Sequence, residues 1–333
     1  MSRLTPSAHA RMVASVTAAL YPGLLAYGCA VLMDALVRLP SALHPVAWFG
    51  RLAGALVRRA PLQGPLRAGT AGALLALLLP LAAVSCVRGA HGWSARAEPR
   101  LALALEVLLL YSCVCLFGLL DAARKLALAL GEGGLPAARQ RLSWLCSRDA
   151  SELDASGLAN GTIESLAENL SDSVVAPLCF LVCFGLEGAV AYRAINTLDA
   201  MIGYRGRYEW LGKVAARLDD LLNYIPARLT ALLLLAAGAS FAAARDISPA
   251  RGLAVWKGDR ARTPSPNGGH PMALTAGLLG VRLDKPDQYV LGAALRRPEP
   301  PDIERALALC TRAGLLALAL AALALQLRGG QLG

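Results

Sequence analysis

Four polar residues recur at intervals of four in the stretch NGTIESLAENLSDSVVAPLCF: Asn160, Glu164, Glu168 and Asp172. On an α-helix they form one stripe with steps of about 6 Å. Like charges four residues apart repel, so three stacked carboxylates invite a cation. Mg²⁺ is usually held by one or two carboxylates, with water and substrate phosphates filling its shell, and this face can supply them. The bland alternative is a solvated acidic face, yet the same helix leads directly into the apolar VVAPLCFLVCFG.

A second set lies in YRAINTLDAMIGYRGRYEWLGKVAARLDDLLNYIPARL. Arg193, Asn196 and Asp199 are spaced to face one way, and Asp219, Asp220 and Asn223 do the same one helix later. Such residues on a half-buried surface are costly unless partners or a ligand satisfy them. Salt bridges from Arg193 or Arg217 to the aspartates are the competing explanation. Gly206 to Lys213 resembles a phosphate loop only superficially: five residues separate its glycines, Val214 replaces the Mg²⁺-binding hydroxyl, and no strand precedes it.

In WKGDRARTPSPNGGHP, Pro264, Pro266 and Pro271 with Gly268 and Gly269 forbid a continuous helix. Ser265, Asn267 and exposed main-chain N–H groups beside Lys257, Arg260 and Arg262 then make a cradle for phosphate or carboxylate. A basic turn facing anionic lipid is the alternative. In LHPVAWFGRL, His44 precedes Pro45 and Arg51 follows; a lone histidine is more often structural. Asp34, inside an apolar run, is expected to face the interior.

The elements that must carry these residues are helices in a membrane. The chain is 56% hydrophobic and 17% charged, with a mean hydropathy of +0.49, outside the balance of soluble domains. Apolar windows near the roughly 20 residues needed to cross hydrocarbon run from Pro22 to Val37, Ala71 to Val87, Leu101 to Leu120, Val174 to Ala191, Leu229 to Ala244 and Ala306 to Leu325. An all-α, polytopic bundle of about 5–6 transmembrane segments with helical cytoplasmic loops is expected. Residues 1–333 read as one integral membrane domain, with site-forming segments 44–51, 149–173, 193–228 and 256–272. No cleavable leader is expected at the start of this sequence.

The net charge of +10 accompanies no nucleic-acid-binding pattern and instead marks cytoplasmic loops of a cell inner membrane protein by the positive-inside rule. One conflict arises: the basic loop 192–228 falls outside unless the Val174 to Ala191 segment, which holds Pro177, Gly185 and Gly188, is re-entrant. The eight cysteines and four histidines show no paired metal or disulfide spacing, so buried thiols are expected.

HPVAWFGRL, NGTIESLAENLSDSVVAPL, AINTLDAMIGYR, ARLDDLLNYIPARLTA and SPNGGHPMALTAGLLGVRL, in this order, closely resemble the adenosylcobinamide-phosphate synthase family of cobalamin biosynthesis. The resemblance runs from about Leu24 to Gly292 and departs from the family pattern at Leu39, where an acidic residue is expected. It implies an ATP-dependent amide ligase joining adenosylcobyric acid to aminopropanol or its O-phosphate. On that reading Glu164, Glu168 and Asp172 bind Mg²⁺, and Lys257, Arg260, Ser265 and Asn267 bind phosphates of ATP or of the amine. Asp199, Asp219 or Asp220 takes the amine proton, while Arg193 and Arg205 hold the propionate or the developing oxyanion. His44, Asn160, Asn169, Asn196 and Asn223 are assigned to substrate. Membrane lipid surrounds the protein, and a soluble partner completing the ATP site stays open. The rival readings are a corrinoid or anion transporter, which the lack of inverted repeats disfavours, and a signalling membrane protein.

Overall fold

Leu and Ala dominate the apolar runs and β-branched residues are sparse, so the chain favours helix throughout. The computed structural model describes residues 22–132, 134–146, 148–204, 206–240 and 246–330. The elements are α1 (Pro22–Leu36), α2 (Pro45–Val57), α3 (Pro65–Ala97), α4 (Pro99–Cys113), α5 (Leu116–Glu132) and α6 (Gly134–Leu142). Then follow α7 (Ala155–Leu170), a π-helical turn (Ser171–Val175), α8 (Ala176–Ile202), α9 (Lys213–Leu222), α10 (Tyr224–Ala239), α11 (Pro249–Asp259) and α12 (Gly269–Leu279). A ribbon of β1 (Leu283–Lys285) and β2 (Tyr289–Leu291) precedes α13 (Pro300–Gly330).

Local chemistry sets many of these boundaries. Proline occupies the first turn of α2, α3, α4 and α11, where its missing N–H has no helical partner to lose. Asp154 caps α7 by accepting from the Gly157 N–H at 2.7 Å. Asp34 of α1 does the same for α5 from a distance, accepting from the N–H groups of Phe117 at 2.8 Å and Gly118 at 3.2 Å. The carboxylate buried in an apolar helix is thus satisfied by another helix's free donors.

The structure is a helical membrane bundle. Three runs are long and apolar enough to cross a membrane: α3, the run from Ala155 to Ile202, and α13. Two bent pairs, α4 with α5 at 44° and α9 with α10 at 47°, raise the number to at most 5. The expected span from Pro22 to Val37 is the 15-residue α1, short of the roughly 20 residues a crossing needs. The expected span from Leu101 to Leu120 breaks between α4 and α5, where the Cys115 N–H donates to the Ser173 carbonyl at 2.9 Å. Of the Leu229 to Ala244 window, residues 241–244 lie outside the described residues. Along α13, Ala306, Leu309 and Ala313 are fully buried, whereas Leu315, Leu316, Leu320, Leu323 and Leu327 face outward.

The run from Ala155 to Ile202 is not one rod. Gly185 takes φ 74° and ψ −164°, a conformation that glycine alone adopts readily. Beyond it the chain doubles back: the Phe180 and Tyr192 rings stack at 5.1 Å, and the Tyr192 hydroxyl lies 3.3 Å from the Asp172 carbonyl. A straight helix would separate Asp172 and Tyr192 by about 30 Å. The segment is a hairpin.

The main core gathers side chains of α1, α4, α5, α7, α8, α10, α12 and α13. A smaller core joins α2 and α3 to the end of α8 and to α9 through Ala53, Val57, Ala76, Leu198, Ile202 and Ala215. Here backbones touch: a Cβ at Gly72 would strike the Leu211 carbonyl, and one at Gly212 the Ile202 carbonyl. Small residues permit such approaches between membrane helices.

Candidate active site

The acidic stripe of α7 meets the returning limb of α8, the start of α9 and the ribbon at one place. The π-helical turn widens the helix where Asp172 sits and frees main-chain oxygens, a distortion common at functional sites. Arg193 fills that gap, its Nη1 donating to the Asp172 carbonyl at 3.4 Å, Ser173 Oγ at 3.3 Å and Asn196 Oδ1 at 3.4 Å. Its Nε is buried without a partner.

Glu168, Asp172, Asp199 and Asp219 lie close enough for their charges to repel. Asp219 is held on both oxygens, by Asn196 Nδ2 at 3.2 Å and by Asn223 Nδ2 at 3.0 Å. Tyr192 fixes Asn223 by donating to its Oδ1 at 2.9 Å. By contrast, the carboxylates of Glu168, Asp172 and Asp199 have no hydrogen-bond partner among the described residues. Glu168 is open to solvent and Asp172 and Asp199 are half-buried. Neither Arg193 nor Arg217 forms an ion pair with these aspartates, so internal salt bridging does not account for the cluster.

Asp220 anchors the proline-rich turn. Its Oδ1 accepts from Ser265 Oγ at 2.9 Å, and its carbonyl accepts from Asn267 Nδ2 at 2.7 Å. Arg228 donates to Asn267 Oδ1 at 3.3 Å and its guanidinium lies 3.5 Å from the Tyr224 ring centroid. Ser265 and Asn267 therefore tie this turn to α9. Arg260 lies over the Trp256 ring, and Lys257 is exposed. Trp256 Nε1 donates to His270 Nδ1 at 3.2 Å, and burial together with Arg228 and Arg260 pushes the His270 imidazole down to about 4. His270 is thus neutral, with Nδ1 as acceptor.

The remaining expected residues are placed as follows. Asn160 is spent on the ribbon: its Nδ2 donates to the Asp284 carbonyl at 2.6 Å, and its Oδ1 accepts from the Asp284 N–H at 3.1 Å. Asn169 donates back to the Ser165 carbonyl at 2.9 Å. His44 stands 5.7 Å from the Tyr111 ring, its basicity lowered by burial and by the Arg193 charge. Arg205 lies outside the described residues.

Three further residues belong to the site. Arg148 Nη2 pairs with Glu164 Oε2 at 2.6 Å, with both side chains largely buried. Lys285 and Tyr289, paired across the ribbon, reach Glu164 and Glu168: Lys285 attracts both carboxylates. Burial and the two glutamates raise the Tyr289 phenol. No local pattern singles out these residues; the Asn160 clamp and Arg148, whose Nη2 donates to the Asp284 carbonyl at 3.3 Å while pairing with Glu164, bring the ribbon to α7.

Glu164, Glu168 and Asp172 do not converge on one point in this structure. Among the described residues no three His, Cys, Asp or Glu side chains converge as a ready-made metal site. The reason is that the stripe extends along the helix and Arg148 occupies Glu164 Oε2. What remains suits a more hydrated ion. Glu168, Asp172 and Asp199 have no partner among the described residues, and Glu164 Oε1 is buried without a hydrogen bond, a donor set that fits Mg²⁺ held by one or two carboxylates plus water and phosphate.

The family described as CobD/Cbib protein matches residues 27–310. This chain belongs to the CobD/CbiB family. It is 38% identical over 276 residues to the cobalamin biosynthesis protein CobD of Dehalococcoides mccartyi, covering 83% of this chain and 88% of that protein. It is 41% identical over 268 residues to the CobD of Chromobacterium violaceum, covering 78% and 81% respectively. The cobalamin biosynthesis protein CbiB of Salmonella paratyphi B is 36% identical over 291 residues, covering 83% and 89%. No solved structure matches the chain. The CobD/CbiB match contains every element that contributes to the acidic cluster.

Proposed function

We propose that this protein acts in cobalamin biosynthesis by forming the amide bond between adenosylcobyric acid and (R)-1-amino-2-propanol or its O-phosphate. The observation that carries the reading is the convergence of Glu168, Asp172, Asp199 and Asp219, with no salt bridge to them among the described residues, beside Arg193 and Lys285. A carboxylate does not react with an amine at neutral pH and must first be activated. In this reading the substrate propionate attacks the γ-phosphorus of ATP, ADP departs, and an acyl phosphate results. The amine nitrogen then attacks the acyl carbon, phosphate leaves with the C–O bond electrons, and the nitrogen gives up its proton.

Each residue has a role in this scheme. Mg²⁺ bound by Glu168 and Asp172 would offset phosphate charge, with Glu164 held in place by Arg148. Arg193, fixed by three oxygen acceptors, orients the propionate. Asp219, held by two amides, or the free Asp199 accepts the amine proton. Lys257, Arg260 and the turn anchored by Asp220 meet phosphate groups. The basic loops support a cytoplasmic-membrane location with the site on the cytoplasmic side.

The test is single-turnover amide formation by the purified protein in detergent, with ATP and each candidate amine. Wild type should form product and ADP in equal amounts. The Glu168→Gln/Asp172→Asn variant should lose the rate; an unchanged rate and Mg²⁺ requirement would refute the metal assignment. Corrinoid uptake into vesicles without amide formation would instead favour transport.

A further inference from the structure

A groove of about 310 Å³ runs between α2 and α3, away from the acidic cluster. Leu56, Ala60, Ala71, Leu74 and Leu78 line it, and Arg59 is the charged residue on its wall. Arg67 precedes Ala71 by four residues and Leu74 by seven, so it stands on the same face of α3, one turn nearer the start of that helix. Along α3 the sequence of surfaces is therefore cationic, then purely aliphatic. Leu74, Leu77, Leu78 and Leu81 are 55–62% exposed, as expected for a face in hydrocarbon.

The cationic end has no counter-charge of its own. No Asp or Glu occurs between Asp34 and Glu98, and Asp34 is engaged by the first turn of α5. Neither Arg59 nor Arg67 forms an ion pair with a described residue, and both are exposed. Arginines at a helix end extend their stems over apolar surface and place the guanidinium among phosphates.

We propose that this groove holds an acyl chain of an anionic phospholipid whose phosphate lies between Arg59 and Arg67. The order of charge and hydrocarbon matches that of the lipid, and the two unpaired guanidiniums select an anionic headgroup. This assignment is independent of the reaction proposed above. Because α2 and α3 pack on the end of α8 and on α9 through Leu198, Ile202 and Ala215, the lipid would brace the helices that carry Asp199 and Asp219.

The experiment is native mass spectrometry of the full chain released from detergent, after addition of phosphatidylglycerol or phosphatidylcholine with the same acyl chains. Wild type should retain one phosphatidylglycerol and at least tenfold less phosphatidylcholine. Arg59→Gln/Arg67→Gln should abolish the preference, Leu74→Trp should displace the lipid by filling the groove, and Arg96→Gln should behave as wild type. Melting temperatures without lipid establish that each variant is folded; the Leu74→Trp variant decides the matter if the double variant is not. Equal retention of both lipids by wild type, undiminished retention by the folded groove variants, or a dimer in place of the lipid adduct would each overturn the proposal.

Discussion

The Tyr192 hydroxyl lies 3.3 Å from the carbonyl of Asp172, a residue twenty positions earlier in the chain. That contact, with the turn at Gly185, returns the chain to the side from which it entered. Residues just before α7 and just after α8 should therefore share one face of the membrane. With the exposed Cys29, Cys86 and Cys183 replaced by alanine, Glu152→Cys and Lys213→Cys should react with an impermeant maleimide from the same side of sealed vesicles. Labelling from opposite sides would mean that the segment crosses once.

The Arg148–Glu164 pair is largely buried on both sides, so removing one member leaves an isolated charge. Arg148→Ala should destabilise the protein by about 3–5 kcal/mol. Adding Glu164→Gln should recover part of that loss, because the charge needing a partner is gone. Thermal unfolding of the single and double variants in one detergent measures the coupling; additive losses would argue against a direct pair.

Asn160 offers a narrower probe, since both ends of its amide are spent on the Asp284 main chain. Asn160→Ala should cost about 1–3 kcal/mol from the abandoned buried groups. Hydrogen exchange should show faster exchange in residues 283–291 than elsewhere. Protection of that ribbon equal to wild type would show that Asn160 is not its anchor.

Much of the bundle was legible in the sequence, because apolar runs and four-residue spacing depend only on local geometry. The stripe from Asn160 to Asp172 is helical, and Asp34 does face another helix. The hairpin at Gly185 was only partly legible: glycine permits a turn, but the stacking of Phe180 on Tyr192 selects it. No sequence pattern marks Arg148, Lys285 or Tyr289, because their proximity to Glu164 or Glu168 depends on packing between separate elements. The types of Ser265 and Asn267 suit ligand donors, but their bonds to Asp220 on α9, which also make them an anchor for the loop, depend on packing between distant segments.

His270 gives a pH dependence with a definite sign. Its folded-state value is depressed from 6.5 to about 4 by burial and by Arg228 and Arg260, so the unfolded chain binds more protons between these values. The associated stability is complete above pH 6.5 and declines as pH falls toward 4. Melting temperature measured from pH 7.5 to 5 should fall more steeply in wild type than in His270→Asn. Parallel curves would show that His270 is not the group responsible.

Asp219 and Asp220 are sequence neighbours with separate duties, which kinetics can distinguish. Asp219 is oriented toward the other carboxylates by Asn196 and Asn223, so Asp219→Asn should lower kcat by about 10²–10⁴-fold, the range for loss of a positioned base. Asp220 holds Ser265, so its main route to substrate is through the turn it anchors. Asp220→Ala should chiefly raise KM for the phosphate-bearing substrate, with a smaller change in kcat. The reverse pattern would exchange the two assignments. A loss of kcat in both variants with unaltered KM would mean that the turn does not position a phosphate.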